Sequence, residues 1–125
     1  MARRKQPATR WLKQVEKHDF AAAESYLSLI HEPRLVRRMM KALRTSKLRQ
    51  FKAKDIFRAS GLSLLGVSNS HVEKDRAKIR QRRALSPILL VRDPMRGRVV
   101  VADGYHRLCA VYGFDEYACV PCRIV

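Results

Sequence analysis

Residues 99–107 of the chain are VVVADGYHR, and this stretch determines the fold prediction. The apolar run over residues 99–102 is typical of a buried β-strand, and the glycine that follows marks a change of element. We expect Asp103 to cap a helix that continues to Tyr112 and ends at Gly113. The stretch therefore predicts a strand that leads directly into the N-terminus of a helix.

The start of this helix is a candidate anion site. The first backbone N–H groups of a helix have no partner within it, and glycine lets a ligand approach them closely. His106 and Arg107 fall in the first turn, where they can add charge-assisted hydrogen bonds to a phosphate. The alternative is that Arg107 pairs with a carboxylate while His106 packs against a neighbour, and the spacing leaves both interpretations open.

A second candidate site element precedes it. Ser70 begins a capping box, with a glutamate three residues later, and predicts a helix over residues 70–83. His71, Lys74 and Lys78 recur at intervals that bring them to one face of this helix. The alternative is a solvated helix without a ligand. If the two helix starts converge in space, they form one anion pocket.

The remaining patterns predict an α/β or α+β fold with a small mixed sheet. Residues 54–60 favour a helix ended by Gly61, and residues 85–92 a strand with a buried apolar run. Residues 117–125 predict a last strand, broken by Pro121. In the second half of the chain the order is helix, strand, strand, helix, strand.

The net charge of +16 is unevenly distributed. Residues 101–125 hold 2 Lys/Arg against 3 Asp/Glu, so the excess lies earlier in the chain. We divide the chain into a basic helical extension, residues 1–50, and a domain, residues 51–125. Such a basic field attracts nucleic acid, nucleotides or an acidic membrane surface, and the alternative is a solvated surface without a specific partner.

Three helices are expected in the extension. Residues 10–18 and 20–31 predict the first two, with Asp19 as the cap of the second. Pro33 suits the first turn of the third, which carries an apolar stripe, and residues 45–52 predict a basic linker. The other face of the third helix carries the candidate nucleic-acid contacts, which are Arg34, Arg37, Arg38, Lys41 and Arg44.

The three cysteines predict no disulfide framework. The N-terminal residues MARRK are not followed by a hydrophobic segment, so we expect a reducing cytoplasm and no secretory signal. No apolar run approaches the ~20 residues that span a bilayer, so no membrane partner is expected. The spacing of His106, Cys109, Cys119 and Cys122 is that of a possible zinc pattern. Residues three apart on a strand point to opposite faces, however, and no structural metal is expected.

The element order from about residue 54 and the DGYHR motif resemble the ParB/sulfiredoxin fold. In ParB-like domains the corresponding segment is Gly-Glu-Arg-Arg and binds the triphosphate of CTP. In sulfiredoxins it is Gly-Gly-Cys-His-Arg and binds the phosphates of ATP. The resemblance implies phosphate contacts at Gly104, His106 and Arg107, with Asp103 and Tyr105 beside them, and a nucleotide, CTP or ATP, that carries Mg²⁺.

The same resemblance extends to the preceding helix. In sulfiredoxins a Lys, a Ser and a Thr of that helix also contact phosphate, and they align with His71, Lys74 and Lys78. The nucleophilic cysteine of sulfiredoxins is Tyr105 here, so reduction of sulfinic acids is not expected. ParB proteins continue into DNA-reading and dimerisation domains, whereas this chain ends on the last strand, so a complete partition protein is not expected.

The predicted function is therefore a ParB-like nucleotide-binding module that acts with nucleic acid through its basic surface. One alternative is a nucleotide-hydrolysing, phosphotransferring or nuclease enzyme of the same fold, with Asp103 as a candidate base. The other is a ligand-free DNA-binding accessory protein, whose affinity would fall steeply with salt.

Overall fold

The computed structural model describes residues 8–66 and 69–125, and within them lie five helices and six strands. The helices are α1 (Lys17–Leu27), α2 (Pro33–Thr45), α3 (Ala53–Ser60), α4 (Ser70–Arg80) and α5 (Tyr105–Phe114). The strands are β1 (Arg10–Trp11), β2 (Arg49–Lys52), β3 (Ala84–Leu85), β4 (Ile88–Asp93), β5 (Arg98–Asp103) and β6 (Cys119–Ile124). The predicted α/β class is confirmed. Over the same ranges, no helix has both the length and the apolar character that crossing a membrane requires.

Four strands form a mixed sheet in the order β2-β6-β4-β5. Strand β4 pairs parallel with β6 and antiparallel with β5, and β2 pairs antiparallel with β6. Strands β1 and β3 form a separate parallel pair, which the backbone N–H of Leu12 extends by donating to the carbonyl of Leu85 at 2.8 Å. Strand β4 therefore lies inside the larger sheet, and β5 delivers its last residue to the start of α5.

Helices cover both faces of this sheet. Ile88 and Leu90 belong to an apolar cluster with residues of α3, α4 and α5. Leu89 and Val91 belong to a second cluster with residues of α1 and α2. Successive side chains of a strand point to opposite faces, which explains why residues 88–91 of β4 are all apolar and buried. The predicted boundary between residues 50 and 51 falls inside β2.

Three predictions for the N-terminal half differ from the structure. The helix expected over residues 10–18 does not form, because Arg10–Trp11 pairs with β3 and Trp11 packs against the core, and only residues 17 and 18 are helical, as the start of α1. The helix expected over residues 20–31 is α1, which begins earlier and ends at Leu27. The expected linker over residues 45–52 ends in β2, which completes the sheet beside β6. In the first and third cases a strand partner distant in sequence outweighs the local pattern.

The cap predicted for α4 is also wrong. Asn69 caps this helix, because its side-chain oxygen accepts hydrogen bonds from the backbone N–H groups of His71 at 3.0 Å and Val72 at 3.2 Å. Ser70 is the first helical residue, and Glu73 pairs with arginines of its own helix. The helix ends at Arg80, before the expected residue 83.

The ends of α5 and β6 differ from expectation as well. Gly104 occupies the cap position of α5, and Asp103 is the last residue of β5 and makes no cap. The helix continues through Gly113 to Phe114. Pro121 does not break β6, since it lies inside the strand opposite Gln50.

Candidate anion-binding site

A cavity of about 570 Å³ lies between the starts of α4 and α5, and α1 closes one side of it. We call it the α4–α5 cavity. The rings of His71 and His106 approach to 5.0 Å between centroids, so the two helix starts converge. The cavity gathers seven of the eight residues predicted around a phosphate, namely His71, Lys74, Lys78, Asp103, Gly104, His106 and Arg107.

Arg107 forms the floor of this cavity. Its Nε donates to the carbonyl of Ser86 at 2.9 Å, and its Nη2 donates to the carbonyl of Pro87 at 3.2 Å. The same Nη2 donates to Oδ2 of Asp103 at 3.0 Å and to Oδ2 of Asp19 at 3.3 Å. These contacts use Nε and Nη2, and Nη1 makes no hydrogen bond to the residues that the structure describes. The carboxylate pairing that the sequence left open is present.

Asp103 and Asp19 share this one guanidinium. The side chain of Asp103 is 15% exposed and that of Asp19 is 5% exposed. Burial raises the pKa of Asp103 to about 6, the charge and hydrogen bond of Arg107 oppose the rise, and the nearby Asp19 adds to it. The single guanidinium therefore only partly offsets the effect of burial on the pKa of Asp103.

The α4 wall of the cavity adds further titratable groups. Burial lowers the pKa of His106, and the neighbouring His71 lowers it further. Burial raises the pKa of Asp75, whereas Lys78 lowers it, with Nζ 3.9 Å from Oδ1 of the carboxylate. Lys74 is exposed at the cavity edge. The lining of the cavity therefore combines cationic side chains, carboxylates and imidazole rings.

The β5–α5 junction requires glycine. Gly104 has a φ of 103°, in the region that side chains rarely adopt. A Cβ atom there would lie 2.9 Å from Cγ1 of Ile88 and 2.9 Å from Nη2 of Arg107. No side chain in the described ranges caps α5, so the N–H groups of its first turn are free to donate. Glycine is therefore needed both for the turn and for the position of Arg107.

Sequence reasoning missed the contribution of α1 to the cavity. His18, Asp19 and Ala22 line it, and Nε2 of His18 lies 3.3 Å from Oδ1 of Asp19. The signal was available, because Asp19, Ala23 and Leu27 recur at intervals of four and share the buried face of the helix. An acid on a buried face requires a charged or hydrogen-bonding partner.

Tyr105 is the predicted site residue that the cavity does not include. Its ring lies 6.3 Å from that of Phe57, edge to face, and it lines a separate pocket on the other side of the β5–α5 junction. His106 lines both this pocket and the α4–α5 cavity, whereas Tyr105 lines the pocket and not the cavity.

The cysteines belong to different environments. Cys109 and Cys122 are buried, Cys119 is exposed, and all three are free thiols. Among the residues that the structure describes, no group of three or more His, Cys, Asp or Glu side chains is arranged to hold a metal ion.

The candidate nucleic-acid contacts form a separate surface on α2. Its apolar stripe is core, with Val36, Met40 and Leu43 buried. The five cationic residues are all exposed, and Arg44 also lies 5.6 Å from the ring centroid of Phe20. We call them the α2 basic face, which consists of Arg34, Arg37, Arg38, Lys41 and Arg44.

Compared with known proteins, the chain matches no family model, no curated protein and no solved structure. The fold and the α4–α5 cavity therefore define it as a small α/β protein with a candidate anion site. Its resemblance to ParB and sulfiredoxin domains stays a prediction.

Proposed function

We propose that this chain is a nucleotide-binding module of the ParB/sulfiredoxin type that holds the phosphates of CTP or ATP in the α4–α5 cavity. The observation that carries the proposal is the approach of His71 to His106, at 5.0 Å between ring centroids, which brings two cationic helix starts to one cavity. A phosphate there would accept hydrogen bonds from the free N–H groups of α5 and from Nη1 of Arg107.

Lys74 and Lys78 supply the charge that distinguishes this cavity from a plain helix end. Both line the cavity from α4. Their replacement should disturb the fold less than that of Arg107, which donates hydrogen bonds to two backbone carbonyls. Magnesium would arrive bound to the phosphates, because no cluster of candidate ligands lies in the described part of the chain. The three free thiols suit a cytoplasmic location, which is part of the proposal.

Calorimetric titration with CTP, ATP and GTP, each with Mg²⁺, tests this proposal. We expect saturable binding of one nucleotide, and at least a tenfold loss of affinity in the Lys74→Ala/Lys78→Ala variant. The matched control is Arg37→Ala/Arg38→Ala, which removes the same charge from the α2 basic face. Equal affinities in the two variants would contradict the proposal, as would a parent protein that binds none of the three nucleotides.

A nucleic-acid partner is the second part of the proposed function. The α2 basic face supports it, because five exposed cations follow one side of a helix that packs on the sheet through its other side. Contacts of this kind address phosphates and not bases, so binding would be insensitive to sequence and steeply dependent on salt. A ligand-free DNA-binding accessory protein would show this behaviour without any effect of nucleotide.

The enzyme alternative is favoured by one specific observation. Asp103 lines the cavity with its pKa raised to about 6, which is the range of a general base near neutral pH. Release or transfer of phosphate from ATP or CTP with Mg²⁺ tests it. Turnover that is abolished in Asp103→Asn, while nucleotide binding remains, would support a hydrolase or phosphotransferase. Absence of turnover would favour the binding module.

A further inference from the structure

A second pocket lies next to the β5–α5 junction and differs from the α4–α5 cavity in the chemistry of its lining. It has a volume of about 310 Å³ and is lined by Tyr26, Leu62, Val101, Ala102, Asp103, Gly104, Tyr105 and His106. Apart from Asp103 and His106 its walls are apolar and aromatic, whereas most residues that line the α4–α5 cavity are charged or are histidines. We call it the Tyr26 pocket.

Three residues line both spaces. Asp103, Gly104 and His106 are common to the α4–α5 cavity and to the Tyr26 pocket, so the two spaces adjoin at the β5–α5 junction. The glycine adds no side chain between them. A ligand that extends past Gly104 can therefore contact residues of both spaces.

We propose that the Tyr26 pocket binds the base of the nucleotide whose phosphates occupy the α4–α5 cavity. This inference rests on the proposed function and extends it to the part of the ligand that distinguishes a nucleotide from free phosphate. Small-molecule sites are typically apolar pockets of roughly 300–1,000 Å³ with a few polar groups that fix orientation, and the Tyr26 pocket has this character. Asp103 and His106 are its polar groups.

The exposure of the lining residues agrees with an open stacking site. Tyr26 is 45% exposed and Leu62 is 46% exposed, although both are large and apolar or aromatic. A planar base covers such surfaces on both of its faces, and tyrosine is a common stacking partner for bases. Tyr26 lies on α1, so the N-terminal half of the chain contributes to both ends of the ligand.

The test compares nucleotides with inorganic tripolyphosphate, which carries the phosphates without the base. We expect the parent to bind CTP or ATP roughly tenfold more tightly than tripolyphosphate, as stacking of one base implies. Tyr26→Ala and Leu62→Ala should each reduce this preference and leave the affinity for tripolyphosphate unchanged. Tyr117→Ala is the matched control, because Tyr117 is exposed and lies outside both spaces.

The outcomes separate the two proposals. If the parent binds nucleotides and tripolyphosphate alike, or if both pocket variants keep the preference, the base site is overturned and the phosphate site stands. If the parent binds neither nucleotides nor tripolyphosphate, both are overturned. Unchanged tripolyphosphate binding also serves as the control for folding of the variants.

Discussion

The α4–α5 cavity and the α2 basic face hold positive charge in different ways. In the cavity, Arg107 lies 3.0 Å from Asp103 and 3.3 Å from Asp19, and Lys78 lies 3.9 Å from Asp75. On α2, the described ion pair is Arg44 with Glu24, at 4.0 Å. Neighbouring acids therefore balance the charge of Arg107 and Lys78 in the cavity, whereas the α2 cations are exposed and only Arg44 has an ion pair among the described residues. Net charge alone does not distinguish a built site from a solvated surface.

The largest effect is expected from Arg107→Ala, which breaks the internal balance of the cavity. This change leaves Asp19 and Asp103 buried without their cation, and removal of one partner from a buried ion pair costs about 3–5 kcal/mol. Urea unfolding at pH 8 measures it, with Arg38→Ala on the α2 basic face as the control, for which a change within about 0.5 kcal/mol is expected. Equal destabilisation of the two variants would show that the two regions do not differ in this way.

The raised pKa of Asp103 predicts a pH dependence that the α2 basic face lacks. The folded protein holds this proton up to about pH 6, and the unfolded chain releases it near the ordinary aspartate pKa of 3.8. Since the folded state binds more protons between these values, stability falls as pH rises through this window. In the parent this fall should amount to roughly 2 kcal/mol, after allowance for the partial exposure of Asp103. The Asp103→Asn variant should not show it.

Unfolding measured from pH 4 to pH 7 in parent and variant checks this prediction. Asp55→Asn is the control, because the hydrogen bond from Lys54 lowers the pKa of Asp55 and its titration lies below the window. A parent and an Asp103→Asn variant with the same slope between pH 4 and pH 6 would be incompatible with the raised pKa of Asp103.

A comparison of two glycines tests how tightly the floor of the cavity is built. Gly104 and Gly97 both have positive φ, but a Cβ at Gly97 would meet nothing within 4 Å. Gly104→Ala should therefore cost about 1–2 kcal/mol more than Gly97→Ala, because it adds a clash with Ile88 and Arg107 to the backbone strain. Thermal or urea unfolding of the two variants measures the difference. Equal costs would mean that the junction can relax.

The α5 side of the site is well predicted by the sequence. The strand, the glycine and the following helix are local features of residues 99–107, and the apolar period and turn chemistry specify them. The sequence does not predict that His71 and His106 lie close together, because their distance depends on how α4 packs against α5. The role of Arg107 stays open there for the same reason, since its partners Asp19, Ser86 and Pro87 are distant in sequence.

The N-terminal half is predicted less well. Strands β1 and β2 are two and four residues long, and such short segments carry almost no periodic signal. They form because β3 and β6 provide pairing partners. The position of Asp19 before an apolar run predicts a cap, whereas tertiary packing makes this residue a buried partner of Arg107. The local sequence indicates that Asp19 has a structural role, but it does not predict that Arg107 is its partner.

The smallest effect on folding is expected on α2. Replacing Arg34, Arg37, Arg38 and Lys41 by Ala should change stability little, since these side chains are exposed. Their removal should weaken DNA binding and lower the dependence of log affinity on log salt by about 0.9 for each DNA phosphate that the variant no longer neutralises. Fluorescence anisotropy at several salt concentrations measures both.

The control removes four other exposed cations, which are Lys13, Lys52, Arg58 and Arg83. This variant has the same net charge as the α2 variant. If DNA affinity and its salt dependence fall equally in both variants, the α2 basic face contributes only to the net positive charge of the protein and is not a DNA interface.

The most direct test of the central claim uses the four histidines as internal probes. NMR signals of the imidazole rings are recorded while CTP or ATP with Mg²⁺ is added. His71 and His106 line the α4–α5 cavity at the two helix starts, His18 lines it from α1, and His31 lies outside it. The account predicts that the His71 and His106 signals move in a saturable manner while the His31 signal does not. Histidine signals that stay unchanged at saturating nucleotide, or that all move alike, would contradict a phosphate site between α4 and α5.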